Sequence, residues 1–395
     1  MNKQELAKGV YFVGAMDWNM RDFHGYTTPR GVTYNSYLIV DEKICLVDLV
    51  KSPFANELLE RISAIVDPAA IDYVVINHVE PDHASALPQI AQVAKKAKFL
   101  ITDKGQQEAE KLYGTTVDYQ IVKTGDTISL GANSLTFVPL PMLHWPDSMV
   151  CYCPEQGILF SNDAFGQHIC TSKHLDYEVN LNDVLYEAEK YFANILMPYA
   201  RLIPNALKTL SSLQINYIMP SHGIIWHKHI PEIMAKYAAW GALEKEARVV
   251  ILYDTMWGAT ECMARAILEG VARAGVEANF YRISLSEESH VVSDVLGAGG
   301  VLVGSPTLNY GMMPTTASLL YYLKGLKPTG KLAAAFGAYG WSGGSQKEME
   351  ELLTKAGMQV QPGMTVAWKG NAEELAACEQ FGYEFALKVQ ETFGK

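Results

Sequence analysis

The chain has 395 residues, enough for two or three domains, and 49% of them are hydrophobic, a composition that can form large buried cores. The formal net charge of −11 argues against a nucleic-acid partner, because such proteins usually present a basic surface. The sequence has no signal-peptide core and no run of about eighteen apolar residues, so we expect a cytoplasmic protein without a membrane span.

The first part of the chain, about residues 9–162, is rich in short β-like segments with turn residues between them. The predicted strands are GVYFVGAMD, TYNSYLIVDE, KICLVDLV, IDYVVINH, KFLITD, SLTFVPLP, MVCYCP and GILFSN. Helices are predicted at residues 54–65 and 105–112, and residues 178–212 look mostly helical. A strand at 215–222 and a helix at 231–247 complete this part.

From Arg248 onward, strands and helices alternate regularly. The predicted strands are RVVILYD, EANFYRIS, GGVLVGS, KLAAAFGAYG and MTVAWK, with helices near 260–274, 315–324, 345–356 and 373–392. This alternation predicts an open parallel sheet with helices on its faces. We therefore expect two domains, at residues 1–247 and 248–395.

Six cysteines are present, and none forms a C-x-x-C pair. This spacing argues against an attached rubredoxin-like or zinc-ribbon module. Reduced, buried thiols in a cytoplasmic protein are the expectation.

A cluster of possible metal ligands follows the predicted strand IDYVVI. His78, Glu80, Asp82 and His83 all lie in the segment VVINHVEPDHASAL. On an extended segment alternate residues point the same way, so His78, Glu80 and Asp82 can converge, with His83 beside them. The segment therefore predicts a metal-binding loop.

Three more candidates, His144, Asp163 and His222, each follow a predicted strand. Four strand-end loops with these residue types indicate metal binding, although a single histidine after a strand would not. Other histidines lack this context: His24, His168, His174, His227, His229 and His290.

If Asp163 bridges with both carboxylate oxygens, two ions each receive four protein ligands. One set is His78, Glu80, His144 and Asp163. The other set is Asp82, His83, His222 and Asp163. Each ion would keep open positions for water or substrate.

Glu80 favours iron over zinc at this site. Hydrolytic zinc sites with this loop arrangement favour H-x-H-x-D-H, whereas this chain has H-x-E-x-D-H. The extra carboxylate is a hard anion that stabilises a higher oxidation state, which iron can reach and zinc cannot. The ligands therefore predict redox chemistry.

Three loops at the C-terminal ends of predicted parallel strands form a second candidate site, in the place where doubly wound sheets bind ligands. Their residues are Thr255, Met256, Trp257, Gly258, Ala259, Thr260, Ser305, Pro306, Thr307, Leu308, Asn309, Ala338, Tyr339, Gly340, Trp341 and Gly343. Hydroxyls, a glycine and a helix N-terminus can donate to a phosphate, and the aromatic side chains suit a flat ring. The loops match neither a Walker A loop nor a dinucleotide fingerprint.

These motifs together resemble the flavodiiron protein family. H-x-E-x-D-H followed in order by His144, Asp163 and His222 is similar to that family's ligand pattern. The segments WNMRDFHGYTTPRGVTYNSYLI, T-x-x-G-x-T, SPTLN and GWSGG are also similar to it. The resemblance covers essentially the whole chain.

The resemblance implies an α/β protein in which a metallo-β-lactamase-like αββα sandwich precedes a flavodoxin-like, doubly wound, five-stranded parallel sheet. It also implies FMN and two iron ions as cofactors, and reduction of O2 to water, of NO to N2O, or of both. FMN with two ferrous ions can store four electrons, which matches the demand of O2. His24 and Tyr191 are implied contacts near the substrate pocket.

The chain stops about where the minimal architecture of this family ends, so the resemblance implies an external electron donor, either rubredoxin or a reduced deazaflavin. A head-to-tail homodimer, or a dimer of such dimers, is also implied. Two alternatives stay open: a zinc hydrolase of the metallo-β-lactamase type fused to a flavodoxin, and an electron carrier whose metal site is structural.

Overall fold

In the computed structural model, which describes residues 3–394, the chain divides into two units. Of the described residues, the first unit contains 3–23, Thr28–Tyr191 and Arg201–Ala238. The second unit contains His24–Thr27, Phe192–Ala200 and 239–394. The domain boundary near residue 248 stays a prediction, and the sequence did not single out the two short segments.

Strands before residue 239 are β1 (Gln4–Ala7), β2 (Val10–Phe12), β3 (Ala15–Asp17), β4 (Asp22–Phe23), β5 (Tyr26–Thr27), β6 (Val32–Tyr34), β7 (Tyr37–Val40), β8 (Ile44–Val47), β9 (Tyr73–Val75), β10 (Lys98–Ile101), β11 (Tyr119–Ile121), β12 (Thr127–Ser129), β13 (Ser134–Pro139), β14 (Met149–Cys153), β15 (Ile158–Asn162) and β16 (Tyr217–Pro220). The α-helices that begin there are α1 (Ala55–Ser63), α2 (Pro81–Ala84), α3 (Leu87–Val93), α4 (Asp103–Tyr113), α5 (Leu181–Tyr191), α6 (Ile203–Leu210) and α7 (Ile230–Gly241). A π-helix, Phe192–Leu196, follows α5 directly.

Two sheets form the core of the first unit. One has the order β1-β2-β7-β8-β9-β10-β11, and the other has the order β12-β13-β14-β15-β16. Side chains from both, such as Tyr37, Val75, Phe137 and Phe160, form one buried cluster, as two sheets packed face to face require. A second cluster joins the first sheet to α1, α3 and α4. The predicted αββα sandwich is confirmed.

The second unit contains a parallel sheet with the order β18-β17-β19-β20-β21, and β22 also pairs with β20. The strands are β17 (Glu246–Tyr253), β18 (Glu277–Arg282), β19 (Ala298–Gly304), β20 (Leu332–Tyr339), β21 (Gln359–Val360) and β22 (Met364–Ala367). The helices are α8 (Ala259–Arg273), α9 (Glu288–Gly297), α10 (Pro314–Leu326), α11 (Ser345–Lys355) and α12 (Ala372–Phe393). The short β21 and β22 share the fifth position, and the flavodoxin-like fold is confirmed.

Two glycines let α8 and α12 pack closely. A Cβ on Gly270 would collide with the carbonyl oxygen of Glu379, and a Cβ on Gly382 would collide with that of Ile267. Glycine inside a helix costs about 1 kcal/mol relative to alanine, so its presence in both helices reflects this close approach.

Two local predictions were wrong, and one helix was missed. Residues Pro81–Ala84 form the short helix α2, not an extended segment, because proline suits the first helical position and begins a helix there. Helix α7 ends at Gly241 instead of residue 247, since Leu243 adopts φ +49° and β17 begins at Glu246. Helix α9 was missed.

The six cysteines are all free thiols. Within residues 3–394, no helix has both the length and the apolar character that crossing a membrane requires.

Candidate functional site

The direction of the strands brings the four predicted metal loops to one edge of the sandwich. β15 and β16 run parallel, so Asp163 and His222, which follow them, leave the sheet on the same side. β13 runs antiparallel to β14, and β14 runs antiparallel to β15, so β13 and β15 point the same way. His144, which follows β13, therefore leaves the sheet on the same side as Asp163. His78 follows β9 in the facing sheet.

Asp163 lies at the centre of these loops and is 1% exposed. Its Oδ2 atom is 3.1 Å from Nε2 of His144 and 3.9 Å from Nε2 of His78. Its Oδ1 atom is 3.4 Å from Nε2 of His222 and 3.5 Å from Nε2 of His83. Each carboxylate oxygen therefore faces one pair of imidazoles.

Glu80 and Asp82 complete the two groups. Oε2 of Glu80 is 3.2 Å from Nε2 of His144 and 3.4 Å from Nε2 of His78. Oδ2 of Asp82 is 3.0 Å from Nε2 of His222, and its Oδ1 is 3.6 Å from Nε2 of His83. Ligands about 2 Å from an ion stand about 3 Å apart, so these spacings suit two ion sites that share Asp163.

Several buried atoms of this cluster have no hydrogen-bond partner among residues 3–394. They are Nε2 of His78, Nε2 of His83, Oδ1 of Asp82 and Oδ1 of Asp163. Buried polar atoms are normally paired, and imidazole nitrogens and carboxylate oxygens are good ligands for iron. The donor set therefore fits a pair of iron ions.

The electrostatics of the cluster also favour cations. Burial alone would lower the pKa of the His78 imidazole, but the carboxylates of Asp147 and Glu80 outweigh it and raise that pKa to about 10. Burial likewise opposes protonation of His144, whereas Asp163 and Glu80 raise its pKa to about 10. The anionic groups thus stabilise positive charge at this point.

Two residues that sequence reasoning missed orient the metal-facing imidazoles. Oδ1 and Oδ2 of Asp147 lie 2.8 and 2.9 Å from Nδ1 of His78, and Oδ2 also accepts a 2.8 Å bond from the backbone N–H of Val79. Nδ1 of His222 lies 2.7 Å from the carbonyl oxygen of Thr33. Both contacts direct Nε2 toward the cluster, as the outer partners of metal-bound histidines do.

His83 differs from these two histidines. Its Nε2 atom faces Asp163 and Asp82, but its Nδ1 atom is buried without a hydrogen-bond partner in the described part of the chain. The side chain therefore depends on packing against the rings of His78 and His222, whose centroids are 5.1 and 5.5 Å away.

Tyr191 lies beside the second group of candidate ligands. The Tyr191 ring is 6.2 Å from that of His222, and burial together with Asp163 raises the pKa of its phenol. His168, set aside on sequence grounds, packs 5.0 Å from Tyr191 and 5.4 Å from His222. His24 lies in an exposed turn between β4 and β5, so its pocket role stays a prediction.

The three predicted cofactor loops lie at the C-terminal ends of β17, β19 and β20, which are adjacent parallel strands. In the first, Gly258 adopts φ +83° and its N–H donates a 3.0 Å bond to Oγ1 of Thr255. Helix α8 begins at Ala259 without a side-chain cap. Its first N–H groups therefore suit a phosphate.

Hydrogen bonds connect the loop after β19 to the loop after β20 and to the start of α11. Thr307 N–H donates to the carbonyl oxygen of Ala338 at 2.9 Å, and its Oγ1 lies 3.1 Å from Oγ of Ser345 at the start of α11. Asn309 adopts φ +50°, which asparagine tolerates better than most residues. The three loops, at residues 255–260, 305–309 and 338–343, thus form one continuous rim along the C-terminal ends of the strands.

Aromatic side chains are unusually exposed at this rim: Trp257 is 93% exposed and Trp341 is 86% exposed. Tyr310 and Trp368, which the sequence did not single out, are also exposed, and the rings of Trp341 and Trp368 are 6.4 Å apart. Large aromatic groups usually bury their area, so their exposure suits a flat ring bound among these loops. The rim therefore fits the phosphate and ring of FMN.

Two family models match the chain, one described as ODP family beta lactamase over residues 32–223 and one as flavodoxin over residues 251–382. A nitric oxide reductase of Moorella thermoacetica is 46% identical over 391 residues, which is 97% of this chain and 98% of that protein. A rubredoxin-oxygen oxidoreductase of Megalodesulfovibrio gigas is 40% identical over 91% of each chain. The crystal structure of a flavodiiron protein from Giardia intestinalis aligns with a TM-score of 0.97 and 38% identity, covering 100% of this chain and 99% of that one.

Proposed function

Because the chain belongs to the flavodiiron protein family, we propose that it is an oxidoreductase that reduces O2 to water, NO to N2O, or both. Both substrates appear in the names of its relatives, a nitric oxide reductase and a rubredoxin-oxygen oxidoreductase. The observation that carries the proposal is the pair of ligand groups that share Asp163 in a chain that also has a flavodoxin unit.

The cofactors are FMN and two iron ions. When bound, they supply the storage of up to four electrons that reduction of O2 requires, or the two that a pair of NO molecules requires. One iron would be held by His78, Glu80, His144 and Asp163. The other would be held by Asp82, His83, His222 and Asp163.

The side chains around these ligands would confine and orient the substrate. Tyr191 and His168 form a buried wall beside His222, and both are nine-tenths or more buried. Such a wall excludes bulk water from the pocket in which a small apolar gas would bind. The phenol hydroxyl of Tyr191 can also donate a hydrogen bond to a partly reduced substrate. We assign this role to Tyr191 and keep His24 as a second candidate.

We propose rubredoxin as the electron donor, in line with the name of the Megalodesulfovibrio relative. A reduced deazaflavin is the alternative donor. We also propose a cytoplasmic head-to-tail homodimer, or a dimer of such dimers, because electron transfer needs the flavin close to the irons. Sedimentation as a fully active monomer would refute this assembly.

The test of the activity is anaerobic stopped-flow spectroscopy of the fully reduced protein mixed with O2 or with NO. We expect rapid reoxidation of the flavin by at least one gas, with water or N2O as the product. A reduced protein that neither gas reoxidises would instead be an electron carrier. Comparing the two rates decides which gas is preferred.

A further inference from the structure

The loop that carries Asp163 and the loop that carries His222 follow the neighbouring parallel strands β15 and β16. Both loops lie within the first unit. The pairing of the two strands ends at Asn162 and Pro220, one and two residues before these candidate ligands. The separation of Asp163 from His222 therefore depends on what joins the loops beyond the strand ends.

Gln167 joins the two loops. It is 0% exposed and lies four residues after Asp163. Its backbone N–H donates a 3.2 Å bond to the carbonyl oxygen of His222, and its Oε1 accepts a 2.6 Å bond from the backbone N–H of Ile224. Its Nε2 donates to the carbonyl oxygens of Ile224 at 3.1 Å and of Phe165 at 2.7 Å. One residue thus holds the backbone of both loops.

The backbone on each side of Gln167 keeps the loops close together. The N–H of Gly166 donates a 3.0 Å bond to the carbonyl oxygen of Asp163, which closes a turn between Asp163 and Gln167. In the other loop, Gly223 adopts φ +81°, and a Cβ there would collide with both the side-chain and the backbone oxygen of Gln167. A change at Gln167 is therefore passed directly to the residue next to His222.

A buried amide is a costly way to fill space. Its polar atoms must leave water, and each of them has to find a partner inside the protein. Both polar atoms of the Gln167 side chain do so, and their partners are backbone groups of the two ligand loops. Satisfied buried networks of this kind make a structure rigid, which suits a residue that fixes geometry.

We infer that Gln167 is a positioning residue that sets the distance between Asp163 and His222. This inference rests on the proposed function, in which these two residues hold one iron together with Asp82 and His83. Oδ1 of Asp163 is 3.4 Å from Nε2 of His222. Metal sites accept ligand distances only within about 0.2 Å of their usual values, so a small shift of one loop weakens this ion site.

The other ion site should be less sensitive. It shares Asp163, but its remaining candidate ligands, His78, Glu80 and His144, lie on the loops after β9 and β13. Loss of the Gln167 amide is therefore expected to act mainly on one of the two ions.

The test is an anaerobic calorimetric titration of the metal-free, FMN-bound, full-length protein with Fe(II). Gln167→Met keeps the length of the side chain and removes the amide. We expect this variant to bind one of the two Fe(II) equivalents about tenfold or more weaker, the size of effect seen when outer partners of metal ligands are lost, with a smaller change in the other. Gln214→Met is the matched control, because Gln214 is exposed, and it should bind both equivalents as the wild type does.

Gln167→Glu is the conservative variant, since it keeps the oxygen that accepts from the N–H of Ile224 and loses the donor. Its affinity for the sensitive equivalent should fall between those of the wild type and Gln167→Met. A residue that only stabilised the fold would affect both equivalents alike. Equal weakening of both, or wild-type binding in Gln167→Met, would overturn the inference.

The remaining outcomes are also decisive. If Gln167→Met does not fold, Gln167→Glu decides alone, and wild-type binding in that variant counts against the inference. A wild type that binds only one Fe(II) would overturn the inference as well. A wild type that binds two Fe(II) but is reoxidised by neither gas would refute the proposed function, while the titrations would still show whether Gln167 sets the site.

Discussion

The carboxylate of Asp147 lies 2.8 Å from Nδ1 of His78 and fixes the orientation of that imidazole toward Asp163. We expect Asp147→Ala to weaken iron binding by about 10- to 100-fold, because outer partners of metal-bound histidines hold the ring in place. Asp147→Asn should have a smaller effect, since the amide keeps one acceptor oxygen. Iron content after dialysis against a graded chelator series measures the change.

Asp118→Asn is the control for this experiment, because Asp118 is exposed and its loss leaves His78 untouched. FMN content should be the same in all three variants. Retention of wild-type iron affinity by Asp147→Ala would show that packing alone orients His78.

His83 should contribute less to iron binding than His78 or His222. Its Nδ1 atom has no hydrogen-bond partner within residues 3–394, whereas His78 and His222 each have one. An imidazole without an outer partner loses more freedom on binding a metal, so it contributes less affinity. We expect His83→Ala to retain more iron than His222→Ala when both are measured by metal analysis. Equal losses in the two variants would contradict this ranking.

Gly258 should be required for its backbone conformation and not for its small size. Its φ is +83°, yet a Cβ built there would meet no atom within 4 Å. A β-branched residue in the left-handed region costs about 1–2 kcal/mol, whereas asparagine tolerates it. We expect Gly258→Val to weaken FMN binding by about tenfold and Gly258→Asn to weaken it less, as measured by flavin fluorescence titration.

Iron content should not change in either Gly258 variant. If Gly258→Val and Gly258→Asn weaken FMN binding equally, the added side chain obstructs the cofactor, and the backbone conformation of Gly258 is not the reason for its requirement.

The sequence could single out candidate metal ligands because each of them follows a predicted strand. His144, Asp163 and His222 were proposed in this way, and the structure brings their side chains together, while their role as ligands stays a prediction. Asp147 could not be recognised, because a carboxylate in a loop after His144 looks like an ordinary turn residue. Only the tertiary fold places it on His78, which lies in the other sheet's loop.

Helix α9 escaped prediction for a related reason. Its buried residues include Ser289, Val291, Val292, Ser293, Val295 and Leu296, so the helix is covered on most sides. A helix buried in this way lacks the alternation of polar and apolar faces from which helices are recognised. His168 was missed because nothing next to it in the sequence indicates that it packs against His222.

Lys331 should make stability depend on pH. Burial lowers the pKa of this lysine well below its ordinary value, and Lys245 and Arg248 add to the effect. The unfolded chain therefore binds a proton more tightly than the folded one, so the free energy of unfolding rises as the pH rises toward about 10.5. Lys331→Met should reduce this slope, as measured by urea unfolding at about pH 7 and about pH 9.

Lys347→Met is the control, because Lys347 is exposed on α11 and should keep the wild-type slope. The slope is the relevant quantity, since Lys331 also donates 2.8 Å bonds to the carbonyl oxygens of Leu296 and Ala298. An identical slope in Lys331→Met and in the wild type would mean that the ammonium stays protonated when buried.

We propose that the carboxylate-rich cluster around Asp163 selects iron and works with a flavin bound by the same chain. Metal analysis and the absorption spectrum of the purified protein distinguish this from a zinc site. We expect about two irons per chain and one FMN, with the absorbance of an oxidised flavin. A colourless protein that carries zinc alone would refute the proposal.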